Sequence, residues 1–118
     1  NFHCNEIDII EKISTALPNL KLVLAHPGGT RDDFLARISL VAKYPNLHLD
    51  ISGSGIDRFG MIRKALDTTG KNKILFGTDY PVNNPAVYTY GTLLENLSEE
   101  ERTAVFSCNF LRLLSEAL

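Results

Sequence analysis

The stretch Lys73-Ile-Leu-Phe-Gly-Thr-Asp-Tyr-Pro81 joins a short apolar run to a carboxylate and two chain-breaking residues. The run 74–76 predicts a buried strand, which Gly77 and Pro81 bring to an end. Asp79 therefore lies at the carboxyl end of a buried strand, where a charged group requires a cation, a metal or several hydrogen bonds. The alternative for Asp79 is an Asx-type turn that only closes the strand.

Two earlier stretches repeat this scheme of an apolar run that ends in polar residues. Residues 20–25 lead into His26 and the loop Pro27-Gly28-Gly29, and residues 46–51 alternate apolar side chains with His48 and Asp50. Helical periodicity separates the strands, with Ser98 and Glu101 forming a capping box before the last helix. The predicted helices cover about 6–17, 31–43, 56–68, 86–96 and 99–117.

Regular alternation of strand and helix predicts a parallel sheet with helical crossovers. A complete (β/α)8 barrel requires about 250 residues, whereas this chain has 118. We therefore predict an α/β fold in which residues 1–118 form a single domain, the carboxyl-terminal half of a (β/α)8 barrel with about four βα units. A flavodoxin-like open sheet is the alternative, and it is disfavoured because no glycine-rich phosphate loop opens a helix after a first strand.

Composition narrows the class of protein. The net charge is −2 and no basic block is present, which argues against nucleic acid and anionic membranes as partners. No apolar run approaches the roughly 20 residues of a membrane span, and no signal peptide is evident. Cys4 and Cys108 show neither metal-site spacing nor a disulfide framework, so we expect reduced thiols in the cytoplasm.

Polar residues at neighbouring strand ends predict a metal site. His3, His26 and Asp79 each follow a predicted strand, and parallel strands bring such residues to one rim of a barrel. Imidazole nitrogen and carboxylate oxygen suit zinc or a similar divalent ion, which would lower the pKa of a bound water. Asp79 is then the predicted proton acceptor. The alternatives are a loop-bonding role for His26 and a frayed terminus for His3.

The other two polar residues of this region are not assigned as ligands. His48 alternates with Leu47 and Leu49 and precedes the strand end, so we predict a structural role for it. Asp50 lies at the strand end, where it could orient a loop or a substrate.

Four segments of the chain resemble the amidohydrolase superfamily, specifically its amidohydrolase-related family of metal-dependent hydrolases and decarboxylases. They are Leu20-Lys-Leu-Val-Leu-Ala-His-Pro-Gly-Gly29, Asn46-Leu-His-Leu-Asp-Ile-Ser52, Ile74-Leu-Phe-Gly-Thr-Asp-Tyr-Pro81, and Ser98-Glu-Glu-Glu-Arg102 with Asn109-Phe-Leu-Arg-Leu-Leu114. Their order is similar to strands six, seven and eight and the last helix of that family. The resemblance covers nearly the whole chain.

The resemblance implies roles for three residues. Asp79 is similar to the strand-eight aspartate, a metal ligand and general base. His26 is similar to the strand-six histidine, which binds a second metal or polarises the substrate, and His3 falls where the strand-five histidine ligand lies. The His-x-His pair of the family's first strand has no counterpart here, and neither have strands two to four, so we expect this chain alone to be incomplete and inactive.

We predict the first of the following three functions and keep the other two as alternatives. The first is a metal-dependent hydrolase acting on a C–N or ester bond of a small molecule, and the second is a nonoxidative decarboxylase of the same family. The third is a non-catalytic half-barrel that serves as an assembly module. A half-barrel exposes two sheet edges and the apolar faces of residues 20–25 and 74–76, so we expect a homo-oligomer or pairing with the missing amino-terminal half.

Overall fold

The computed structural model describes residues 6–53 and 58–118, which alternate between helix and strand. The helices are α1 (Glu6–Ala16), α2 (Arg31–Lys43), α3 (Met61–Thr69), α4 (Pro85–Leu94), α5 (Glu99–Thr103) and α6 (Asn109–Ala117), with a π-helical segment at Ala104–Cys108. The strands are β1 (Leu22–Leu24), β2 (Leu47–Asp50) and β3 (Ile74–Leu75). The predicted strand at His3 lies outside the described residues.

The three strands form one parallel sheet in the order β1-β2-β3. Leu22 is in register with Leu47, and Leu49 with Ile74. This order and direction confirm the predicted topology. Each strand is one or two residues shorter than predicted at one or both ends, although backbone hydrogen bonds such as Ile51 N–H to Leu75 O (3.0 Å) continue the pairing beyond them.

The core lies between one face of the sheet and the helices. Leu47, Leu49 and Ile51 alternate along the central strand and its extension, and all three are buried against side chains of α2 and α3. Because side chains alternate across a strand, His48 and Asp50 lie on the opposite face. That face carries the polar residues of the sheet centre.

Helix α3 begins later than its periodicity predicts, at Met61 rather than near residue 56, although residues 54–57 are not described. Gly60 precedes it at φ 86°, a left-handed conformation that interrupts a right-handed helix. The buried Glu95 accepts hydrogen bonds from the N–H groups of Gly60 (2.8 Å) and Ile62 (3.3 Å). A carboxylate distant in sequence thus caps this helix.

The last helix is interrupted rather than continuous as predicted. The capping box of Ser98 and Glu101 is confirmed, but residues 104–108 adopt a π-helix. Here Val105 O accepts a hydrogen bond from Phe76 N–H (3.0 Å), and the rings of Phe76 and Phe106 lie 4.7 Å apart. The π segment therefore coincides with the contact between this helix and the end of β3.

Side-chain hydrogen bonds to backbone carbonyls stabilise the amino-terminal ends of the strands. Asn46 Nδ2 lies 3.0–3.4 Å from the carbonyl oxygens of Ser14, Leu17 and Leu20. Lys73 Nζ donates to the carbonyls of Tyr44, Pro45 and Leu47. Burial, followed by the charges of Lys21 and Arg112, lowers the pKa of Lys73.

Candidate functional site

Three candidate residues lie at the carboxyl ends of the parallel strands. His26 follows β1, Asp50 is the last residue of β2, and Asp79 follows β3. Since the strands are adjacent and parallel, these residues lie together at the carboxyl-terminal end of the sheet, as the sequence predicts. His3 lies outside the described residues.

The backbone is unusual at two of these positions. Among the described residues, His26 (φ 69°) and Asp79 (φ 58°) are the non-glycine residues with positive φ. The left-handed conformation costs a non-glycine residue about 1–3 kcal/mol and clusters at functional sites. The surrounding structure therefore holds both residues in a backbone conformation that is less stable for them than an ordinary one with negative φ.

The imidazole of His26 is fixed by the loop that follows β2. Its Nδ1 lies 2.9 Å from Ser52 O and 3.1 Å from Ser52 Oγ. A Cβ atom on Gly53 would lie only 2.3 Å from Nδ1, so this position has to be glycine for the ring to occupy its place. Gly53 O in turn accepts a hydrogen bond from Tyr88 Oη at 2.6 Å.

Asp50 connects the ends of β2 and β3. Its Oδ1 accepts a hydrogen bond from Ser52 N–H. A Cβ atom on Gly77 would lie 2.6 Å from Asp50 Oδ2, so the backbone after β3 approaches the carboxylate closely because Gly77 has no side chain. Gly77 thus allows the carboxylate to occupy this position.

Asp79 heads a tight turn. Its carbonyl accepts hydrogen bonds from Val82 N–H (2.9 Å) and Asn83 N–H (3.1 Å), and its Oδ2 accepts one from Asn83 Nδ2 (3.2 Å). The carboxylate is half-buried, and only this side-chain bond to it is found among the described residues. Capacity for a further ligand therefore remains on the carboxylate.

The described residues do not form a complete metal site by themselves. Residues 6–53 and 58–118 contain no group of three or more His, Cys, Asp or Glu side chains arranged to hold a metal. His26 and Asp79 still have the nitrogen and oxygen donors that zinc prefers. They fit as a partial ligand set that needs donors from elsewhere. A cleft of about 690 Å³ near Lys71, Cys108 and Arg112 lies at the opposite end of the strands.

His48 occupies a structural position. It is 4% exposed, and its Nδ1 is buried without a hydrogen-bond partner among the described residues. Burial first, and then the charges of Lys73 and Arg112, lower the pKa of His48 from 6.5 to about 4. The ring is therefore neutral near pH 7.

Acidification from pH 7 to about pH 4 is expected to destabilise the chain through His48. The unfolded chain binds the proton at the ordinary pKa of 6.5, whereas the folded chain does so only near 4. Stability present above pH 6.5 is thus lost as pH falls through this interval, by about 3 kcal/mol at roughly 1.4 kcal/mol per pH unit. Urea unfolding of wild type and His48→Gln at both pH values measures this loss. Equal pH dependence in both proteins would contradict the assignment.

The sequence did not single out the residues that hold His26. Ser52, Gly53 and Tyr88 all contact this region, yet none is titratable near neutral pH, so none was a candidate for metal binding or proton transfer. The available signal was the run Asp50-Ile-Ser-Gly53, in which a carboxylate precedes a loop of small residues. Tyr88 is distant in sequence, and only the tertiary structure brings it to Gly53.

Polar residues at the carboxyl ends of consecutive parallel strands are typical of one end of a (β/α) barrel. The amidohydrolase family profile matches residues 5–115, and this chain therefore belongs to the amidohydrolase family. Comparison with the curated proteins finds no match.

Solved structures with the same fold agree with this assignment. Amidohydrolase 2 from Bifidobacterium longum subsp. infantis is 22% identical with a TM-score of 0.70, over 93% of this chain and 46% of that one. A 2,6-dihydroxybenzoate decarboxylase in complex with 2,6-dihydroxybenzoate is 22% identical with a TM-score of 0.68, over 90% and 38%. An amidohydrolase from Burkholderia multivorans with bound zinc is 22% identical with a TM-score of 0.66, over 96% and 49%.

The chain spans less than half of the length of these three relatives. Together with the parallel sheet, this coverage confirms the predicted fold, an α/β chain that forms part of a (β/α)8 barrel. In the described ranges, no helix combines the length and apolarity needed to cross a bilayer.

Proposed function

We propose that this chain supplies the carboxyl-terminal part of the active site of a metal-dependent hydrolase that acts on a C–N or ester bond of a small molecule. The observation that carries the proposal is the placement of His26 and Asp79, both at positive φ, at the carboxyl-terminal end of a parallel sheet. Membership of the amidohydrolase family supports it.

In this proposal each residue has a defined task. Asp79 presents a carboxylate oxygen as a ligand and accepts the proton of the attacking water. His26 binds metal or polarises the scissile group through its free ring nitrogen. His3 is proposed as a further ligand. A bound zinc ion would supply a water molecule of lowered pKa, and a zinc-bound relative supports the choice of this metal.

Nonoxidative decarboxylation is the second candidate. It is favoured by the similarity to a 2,6-dihydroxybenzoate decarboxylase, at a TM-score of 0.68. In that case His26 and Asp79 would transfer a proton to the carbon that loses carbon dioxide, and water would take no part in bond cleavage. Incubating a full-length barrel that contains this chain with an aromatic acid, and separately with an ester or amide, and identifying the products distinguishes decarboxylation from hydrolysis.

The outer strands of the described sheet are unpaired on one side, which favours association of this chain with a partner. No described strand pairs with the outer edge of β1 or of β3. Val23 is 47% exposed on β1, and Ile9 and Ile13 on α1 are exposed together with Leu17, which follows that helix. The prediction of exposed apolar side chains at 74–76 is wrong for Ile74 and Leu75, which are buried. Phe76 is half-buried, and its ring packs against that of Phe106 at an angle of 43°.

We propose that a polypeptide segment equivalent to the amino-terminal half of a barrel covers these edges, with a second copy of this chain as the alternative. The length of the solved relatives favours the first. The alternative of a non-catalytic assembly module predicts association without metal binding even when the partner half is present.

Zinc binding measured together with assembly tests the proposal. We expect this chain alone to associate at micromolar concentration in sedimentation and to retain little zinc after dialysis. A full-length barrel that contains it should retain stoichiometric zinc, and His26→Gln with Asp79→Asn should reduce this amount. Asp32→Asn, an exposed change on α2, is the matched control. A monomeric chain would refute the assembly proposal, and a zinc-free full-length barrel would refute the metal site.

A further inference from the structure

The ring of His26 has one nitrogen occupied by protein and one that is not. Nδ1 lies 2.9 Å from the carbonyl oxygen of Ser52 and 3.1 Å from its hydroxyl. No hydrogen bond to Nε2 is found within residues 6–53 and 58–118. The chemistry available to His26 therefore depends on which nitrogen carries the proton of the neutral ring.

The Ser52 carbonyl determines the position of this proton. A carbonyl oxygen only accepts hydrogen bonds, so an unprotonated Nδ1 at 2.9 Å would face it lone pair to lone pair. With the proton on Nδ1, the same contact becomes an N–H···O hydrogen bond, and Ser52 Oγ is a second acceptor at 3.1 Å. Nε2 is then left with a free lone pair.

The orientation of the Ser52 carbonyl depends in turn on Asp50. The Asp50 carboxylate accepts the hydrogen bond of Ser52 N–H, and Gly77 leaves the space that this carboxylate occupies. On the other side, Tyr88 Oη donates to Gly53 O at 2.6 Å. Hydrogen bonds thus hold the Ser52 N–H on one side and the Gly53 carbonyl on the other, and the Ser52 carbonyl between them lies 2.9 Å from the imidazole Nδ1.

We propose that Asp50 and Ser52 are positioning residues that keep neutral His26 in the Nδ1–H tautomer, so that Nε2 is its ligand-binding and proton-accepting atom. The use of Nε2 rests on the proposed function, whereas the tautomer does not. A positioning group acts through the atom that it orients, and a hydrogen bond at one ring nitrogen sets the role of the other.

Nuclear magnetic resonance of the ring nitrogens tests this tautomer directly. The chain contains three histidines, and spectra of His26→Gln and His48→Gln assign the signals of a ¹⁵N-histidine sample. At about pH 8.5, some two units above the ordinary histidine pKa, long-range ¹H–¹⁵N correlations distinguish protonated from unprotonated nitrogen. We expect His26 to show a protonated Nδ1 and an unprotonated Nε2, and the opposite pattern or an even mixture would overturn the proposal.

Three variants test the contribution of each positioning group. Asp50→Ala removes the acceptor of Ser52 N–H and should shift His26 toward a mixture of tautomers. Asp50→Asn retains an acceptor oxygen and should restore the wild-type pattern. Ser52→Ala retains the carbonyl and should also leave Nδ1 protonated. An unchanged tautomer in Asp50→Ala would remove Asp50 from the proposal.

A control variant tests whether the change in the His26 signals is specific to Asp50. Asp32→Ala removes an exposed carboxylate elsewhere and should not alter the His26 signals. If Asp50→Ala does not fold, the wild-type and Ser52→Ala spectra still decide whether the carbonyl sets the tautomer. Because the measurement requires neither metal nor substrate, a wrong tautomer refutes this inference alone, whereas absence of zinc from the full-length barrel refutes the proposed function alone.

Discussion

Replacing Asp79 with asparagine in a full-length barrel that contains this chain is expected to lower turnover by at least about 100-fold, the usual scale for losing a general base. Asparagine tolerates the left-handed backbone at φ 58°. Its amide oxygen can still accept the hydrogen bond from Asn83 Nδ2. The substitution therefore removes the charge and the proton acceptor while preserving the turn.

Turnover and thermal unfolding of the same samples separate chemistry from folding. The unfolding temperature of the full-length barrel should change little. In this chain alone the substitution should be neutral or stabilising, because it removes a half-buried charge that has one side-chain hydrogen bond among the described residues. Asp32→Asn makes the same chemical change at an exposed position and should retain full turnover. Near-normal turnover of Asp79→Asn would exclude Asp79 from the mechanism.

Replacing Asn109 with aspartate is expected to unfold the chain or to destabilise it by several kcal/mol. Asn109 is 1% exposed, and its Nδ2 donates to Lys71 O (2.7 Å) and Ile74 O (2.8 Å). Aspartate replaces both donors with a carboxylate oxygen that faces two carbonyl oxygens. The result is a buried anion without partners and two carbonyls without donors.

Urea unfolding of two further variants calibrates this effect. Asn109→Ala loses the donors without adding a charge, so its cost should be about 1–3 kcal/mol per buried group left unpaired. Asn96→Asp makes the same chemical change at an exposed position and should cost less than about 0.5 kcal/mol. If Asn109→Asp were as stable as Asn96→Asp, the side chain of Asn109 would not anchor α6 to β3.

Elements with a strong local pattern could be predicted from the sequence. The helix start at Ser98 is encoded by its capping box with Glu101, and the direction of the strands follows from their alternation with helices. Helix α3 was placed too early because its apolar spacing extends beyond its true start. There the left-handed Gly60 and the distant carboxylate of Glu95 set the boundary.

The candidate site divides in the same way. His26, Asp50 and Asp79 were placed at strand ends by sequence alone, because a strand followed by a glycine-containing loop is a local pattern. The sequence and its family resemblance thus determined the fold class, the rim and the residue types on it. Only the tertiary structure decided the left-handed backbone of His26, its hydrogen bond to Ser52 and the tie from Tyr88 to Gly53. The two hydrogen bonds join residues that are 26 and 35 positions apart in the sequence. Which side chains meet across such a separation depends on the packing of the whole chain.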